Sequence, residues 1–153
     1  MGSLPSYVIA MQKQGMLIPQ DNVVEIIPYE PLQRMEDTPD WFLGLLSWRG
    51  LQVPVSSFEM LTVERASFSL VSVSSASLVI IKGLNDVDSL PFYAVVAQTA
   101  PRLVDLTEEM LFDTGDETLK TEVTKVRFED QILSVPDLDY LEAAIQNLRL
   151  NDA

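Results

Sequence analysis

Cysteine and histidine are both absent from this chain of 153 residues. Without cysteine there is no disulfide, no thiol nucleophile and no thiolate metal site, and the lack of disulfides fits a cytoplasmic protein. Without histidine there is no Ser-His-Asp triad, no imidazole proton shuttle at neutral pH and no phosphoacceptor of the histidine-kinase kind. Glycine is scarce: the six residues stand singly, so neither G-x-G-x-x-G nor a P-loop is present to cradle a phosphate. No serine lies in G-x-S-x-G. With no nucleophile–base pair, the chain reads as non-enzymatic, with no catalytic residue, cofactor or metal expected.

Basic residues are few as well, ten against twenty-three acidic, for a formal net charge of −13. They are scattered along the chain, so counterion release from nucleic acid has no clustered cations to drive it. An anionic membrane surface is an equally poor partner. The charge reads either as a solubility device or as a field that steers a basic partner. Long hydrophobic runs are missing too. Leu78-Val79-Ile80-Ile81 is typical, far short of the roughly 18 apolar residues of a membrane span. Met1-Gly2-Ser3-Leu4 has no basic or apolar signal region, so no signal peptide is expected.

What is present is hydrophobic residue content of 47%, enough to build a core for one domain or two small lobes. Strand patterns dominate. Tyr7–Met11 and Met16–Ile18 flank a polar turn at Lys13-Gln14-Gly15. Val23–Ile27 is β-branched and stops at Pro28. Residues 29–39 read as a proline-bracketed connection, and Trp41-Phe42-Leu43 as a brief helical turn. Leu43–Trp48, a tight turn at Arg49-Gly50, and a second strand ending at Pro54 make a hairpin. Phe58–Leu61 is a helical turn or a strand end. The serine-rich stretch 65–77 reads as a join. Leu78–Ile81, Pro91–Ala97 and Arg102–Leu106 are strands, Leu111–Glu117 a surface loop. Val123–Phe128 and Gln131–Val135 form a late hairpin turning at Glu129-Asp130. Asp137 can cap a final helix whose apolar stripe is Leu138, Leu141, Ile145 and Leu148. Asp139 near its start and Arg149 near its end suit the helix dipole. Many short strands without strand–helix alternation exclude a parallel α/β sheet and favour small barrels or a sandwich.

The acidic clusters Asp86/Asp88, Glu108/Glu109 and Asp113/Asp116/Glu117 match no EF-hand loop and read as solvated turns. Trp41 reads as core. Trp48, beside the hairpin turn, reads either as core or as an exposed interface aromatic. Arg49 is a rare cation on a rigid turn. It reads equally as a partner contact or as half of an internal ion pair with a carboxylate such as Glu25.

Val23-Val24-Glu25-Ile26, Pro39-Asp40-Trp41-Phe42-Leu43-Gly44-Leu45, Ser47-Trp48-Arg49-Gly50 and Val53-Pro54-Val55 together resemble the CheW family of bacterial chemotaxis coupling proteins. They stand where that family carries "VxEI", "PxxixGv", "NLRG" and "vPvidL". Gln131–Leu138 resembles the segment that leads into the family's last helix, so the resemblance spans roughly residues 6–145. Ser47 and Trp48 replace the family's Asn and Leu, and the second-half strand Phe92–Ala97 lacks its Gly and Asp. Such divergence is similar to the ChpC group of pilus (twitching) chemosensory systems.

The resemblance implies an all-β fold with a C-terminal helix, two small five-stranded SH3-like β-barrels around a shared core. Lobe one would span about residues 4–64 plus the helix 137–150, and lobe two about 78–136. It implies an adaptor with no direct membrane insertion, cytoplasmic and recruited to receptor arrays. That adaptor would bind the regulatory domain of a CheA-type histidine kinase and the hairpin tip of a methyl-accepting receptor. Val23, Glu25 and Arg49 sit where family members make these contacts, and the residue reading adds Leu45, Trp48 and Gly50. Two rivals remain. One is a barrel that holds a small apolar ligand between its lobes, lined by Trp41 and Trp48. The other is a carboxylate-only hydrolase using Asp86 or Glu108.

Overall fold

The structure, a computed structural model, describes residues 4–11, 15–62, 75–85, 88, 90–107, 112–113, 121–128 and 131–148. Its strands are β1 (Leu4–Ala10), β2 (Gly15–Pro19), β3 (Val23–Pro28), β4 (Phe42–Trp48), β5 (Leu51–Ser56), β6 (Ser77–Lys82), β7 (Phe92–Ala97), β8 (Arg102–Leu106), β9 (Phe112–Asp113), β10 (Glu122–Phe128) and β11 (Gln131–Pro136). Among the described residues two α-helices join them, α1 (Phe58–Thr62) and α2 (Leu138–Gln146), with a 3-10 turn at Gln20–Asn22. Among the described residues no helix is long and apolar enough to cross a membrane.

Two sheets form, with strand orders β8-β1-β2-β11-β10-β9 and β3-β6-β7-β5-β4. Each contains one parallel pairing, β2 with β11 and β7 with β5, flanked by antiparallel ones. The strand order β8, β1, β2, β11, β10 therefore repeats β3, β6, β7, β5, β4. In the chain the second barrel runs β3, β4, β5, α1, β6, β7. The first runs β8, β10, β11, α2 and is completed by β1 and β2 from the other end of the sequence. The two barrels are circular permutations of one plan. The sheets thus cut across the lobes expected on either side of residues 65–77: β1 and β2 join β8–β11, while β6 and β7 join β3–β5.

Among the described residues the period of two along the central strands builds three apolar clusters. Ile9, Met16 and Ile18 from one sheet meet Val79, Ile81, Tyr93, Val95 and Ala97 from the other in a core shared by both barrels. The alternate residues turn the other way. Leu78, Ile80, Ala94 and Val96 fill the β3–β7 barrel with Leu46, Trp48, Val53 and Val55. Val8 and Leu17 fill the other barrel with Leu106, Val126, Phe128 and Leu133. Central strands buried on both faces explain the unbroken apolar runs.

Helix α2 closes the shared core. Asp137 caps it, accepting a hydrogen bond from Tyr140 N at 3.1 Å. Leu141 and Ile145, four residues apart, enter the core side by side. Burial of two such side chains stabilises by about 1.5–3 kcal/mol each.

Two local readings are corrected. Phe42 begins a strand, not a helical turn: Phe42, Gly44, Leu46 and Trp48 are buried alternately. Strand β5 continues past Pro54 to Ser56. Leu45, opposite Pro54, uses its N–H and C=O on Gln33, so the missing N–H of Pro54 points away from β4. It lies before the β7 ladder begins at Val55. The turns at Lys13-Gln14 and Glu129-Asp130, residues 65–74 of the serine-rich stretch, Arg149, and all of 111–117 except Phe112–Asp113 lie outside the described residues.

Candidate functional site

The β4–β5 hairpin ends in two residues with positive φ, Arg49 at 50° and Gly50 at 76°. Two such residues make a type I′ turn, whose twist matches the flanking strands. Gly50 meets its conformational demand without strain, and Arg49 is fixed at the tip by the ladder on both sides.

Strand β3 brings the second component. Val23 pairs with Ile81 and Glu25 with Ile80, so Val24 is an extra, bulged residue. The bulge changes the face on which Glu25 lies. Val23 packs on the shared core, while Glu25 is aligned with Ile80 of the barrel interior and reaches Trp48 at the hairpin tip. An unbroken alternation would have left Glu25 on the same face as Val23.

Trp48 donates its indole N–H to Glu25 Oε1 at 2.5 Å. Arg49 Nη2 lies 3.6 Å from Glu25 Oε2, and its guanidinium carbon is 4.5 Å from the centre of the Trp48 ring. Phe92 abuts Trp48 edge-on, with centroids 5.0 Å apart and planes at 70°. Trp48 is only 7% exposed, whereas the side chains of Arg49 and Glu25 are 62% and 37% exposed. A part-buried hydrogen bond to a charged acceptor contributes about 1.5–3 kcal/mol. An exposed ion pair contributes about 0.2–1 kcal/mol, and an exposed cation–π contact about 0.5–1 kcal/mol. Trp48–Glu25 is therefore the anchor, and the charged pair rides on it.

Of the six candidate residues, the structure brings Glu25, Trp48, Arg49 and Gly50 together. Leu45 is half-buried in mid-β4, bonded to Gln33. Val23 is half-buried against the shared core. Trp48 is not the exposed aromatic its position allowed: its ring completes the interior of a barrel. The internal ion pair between Arg49 and Glu25 is made. Trp41 packs on the shared core and Trp48 inside one barrel, on opposite faces of the same sheet, so the two tryptophans do not line one ligand pocket. Asp86 and Glu108 lie outside the described residues.

Among the described residues three buried carboxylates, Glu59, Glu122 and Glu142, were not singled out in the sequence. Glu142 on α2 is fully buried. Its Oε1 accepts from Leu84 N at 2.9 Å and Asn85 N at 3.1 Å, and its Oε2 from the Tyr93 hydroxyl at 3.4 Å. Burial and the Glu142 charge push the Tyr93 hydroxyl far above its usual range. Glu122 accepts from the Ser134 hydroxyl and lies 3.7 Å from Lys125 Nζ. The position of Glu142 next to the apolar stripe at Leu141 and Ile145 was the available signal.

A family model described as CheW-like domain matches residues 7–143. Among solved structures, the fold is similar to that of the scaffolding protein TtCheW from Thermoanaerobacter tengcongensis, with a TM-score of 0.72 over 90% of this chain and 86% of that one. The two sequences are 12% identical, so this likeness concerns the fold. Comparison with curated protein sequences gives no match.

Proposed function

The chain belongs to the CheW-like domain family, and from that membership we propose that it couples a methyl-accepting receptor to a CheA-type histidine kinase. As a member of that family it is a scaffold and not an enzyme, and the membership supports a coupling role in chemotaxis signalling. The kinase's regulatory domain is one partner and the receptor's helical hairpin tip the other. Binding energy holds the two together, and no bond is made or broken. The protein acts in the cytoplasm, recruited to receptor arrays. The departures from the family words in the second half favour a pilus-associated system that governs twitching motility.

The observation that carries this reading is Arg49: a cation held at a rigid turn, 62% exposed, in a chain of net charge −13. Arginine on a fixed frame is favoured where partners dock. Calorimetric titration with the regulatory domain of the CheA-type kinase from the same cell is the test. Saturable binding that Arg49→Glu removes, with the fold intact, supports the adaptor. Absence of binding rejects kinase coupling and moves the test to the receptor tip.

A further inference from the structure

The exposed charges of this site are tied to the interior through one residue. Trp48 is 7% exposed. It is braced by Phe92, and its N–H is committed to Glu25. Arg49 then has three restraints. Its backbone is set by the turn, with φ at 50°; its guanidinium lies 4.5 Å over the Trp48 ring; one of its nitrogens faces Glu25. Glu25 in turn is held by the indole. A guanidinium carries five donors in a planar fork, and with 62% of the side chain exposed part of that fork is open to solvent.

We propose that Trp48 is a positioning residue that holds the Arg49 guanidinium in one orientation, its open edge presented to a carboxylate of the partner. The ring restrains the guanidinium directly, and the indole N–H restrains it through Glu25. The leucine that the CheW family words place here offers neither a donor nor a π face, so the device belongs to this chain. An arginine ordered before contact loses less side-chain entropy on docking, and a fork matches a carboxylate where a point charge does not. The binding half of this proposal rests on the adaptor reading; the ordering of Arg49 does not.

The test uses the full chain. Nitrogen relaxation at the Arg49 Nε–H is measured in the wild type, Trp48→Leu and Trp48→Met. Dissociation constants for the CheA-type regulatory domain are measured alongside, with Arg49→Lys added. The wild-type guanidinium should be ordered and both Trp48 variants mobile. The dissociation constant should rise roughly two- to tenfold in the Trp48 variants and further in Arg49→Lys, which keeps the charge and loses the fork. Met fills the site with a flexible side chain and keeps the comparison open where Leu prevents folding. Equal order in wild type and variants overturns the proposal, as does lost order with unchanged affinity. If the wild type binds no kinase domain, kinase coupling is rejected and the relaxation data alone decide the role of Trp48.

Discussion

Trp48 donates its indole N–H to Glu25 at 2.5 Å, and this bond joins β4 to β3, the two outer strands of a sheet that share no backbone ladder. The side chains thereby close the barrel where its backbone does not. The permuted barrel does the same at the equivalent place. Arg102 on its outer strand β8 lies 5.8 Å from the ring centre of Phe128, which ends β10. In each barrel an aromatic at the end of a hairpin strand meets a charged residue on the far edge. The sign of that charge is reversed, Glu25 in one and Arg102 in the other.

Glu25→Ala should cost more than Arg49→Ala. Removing Glu25 leaves the part-buried indole N–H without its acceptor, a loss of about 1–3 kcal/mol. Removing Arg49 loses an exposed ion pair, about 0.2–1 kcal/mol, and a stacking contact. Glu25→Gln keeps an acceptor for the indole and should fall between them. Urea unfolding of the three variants gives the ranking, and an Arg49→Ala loss larger than that of Glu25→Ala contradicts it.

Two glycines with positive φ should respond very differently to alanine. A Cβ on Gly50, at φ 76°, meets nothing within 4 Å. Its cost is backbone strain alone, about 1–2 kcal/mol. A Cβ on Gly44, at φ 141°, would lie 2.6 Å from the Gln33 carbonyl oxygen, and Gln33 is bonded in both directions to Leu45. Gly44→Ala must displace the strap of chain that covers the β4 edge, so it should lower the melting temperature well beyond Gly50→Ala. Thermal unfolding of both variants decides.

The hairpin at Arg49-Gly50 was legible because its information is local: two apolar runs and one glycine in a two-residue turn. The final helix was legible for the same reason, from Asp137 and the stripe at Leu141 and Ile145. The internal symmetry was not. Strands β1 and β2 complete the barrel of β8–β11 from the far end of the chain, and a permuted repeat leaves no sequential period to detect. The geometry around Glu25 was only half legible. A carboxylate near Arg49 was named, but the bulge at Val24 that sets its face depends on pairing with β6. Trp48 was ambiguous because burial at a hairpin end depends on what lies opposite, here Phe92 and Glu25.

Glu142 should be among the most sensitive positions in the chain. One buried carboxylate serves Leu84 N, Asn85 N and the Tyr93 hydroxyl, while Leu141 and Ile145 of the same helix fill the shared core. Glu142→Leu orphans two backbone donors and a buried hydroxyl, at about 1–3 kcal/mol for each group left unsatisfied. Glu142→Gln retains an oxygen acceptor and should lose far less. Hydrogen exchange reads the same contrast locally: in Glu142→Leu the amides of α2 should open before those of β6 and β7. Protection lost equally from all three elements would show that α2 has no separate anchoring.

Alkaline pH should destabilise the fold through Tyr93. Its hydroxyl is buried first and foremost, and the Glu142 carboxylate beside it further disfavours a phenolate, so its pKa in the folded chain is raised well above the ordinary value of 10.0. Between those two values the unfolded chain releases a proton that the folded chain keeps. The folded state then binds more protons, and stability falls with rising pH. The contribution is intact below about pH 10 and declines above it by about 1.4 kcal/mol per pH unit for one tyrosine. Tyr93→Phe loses the hydrogen bond to Glu142, so it should be less stable than wild type at neutral pH. It should also show a shallower alkaline decline, which makes the two stability curves converge. Urea unfolding across the alkaline range measures both. Parallel curves would mean that Tyr93 ionises in the folded protein as freely as in the unfolded chain, through water that reaches the Glu142 carboxylate.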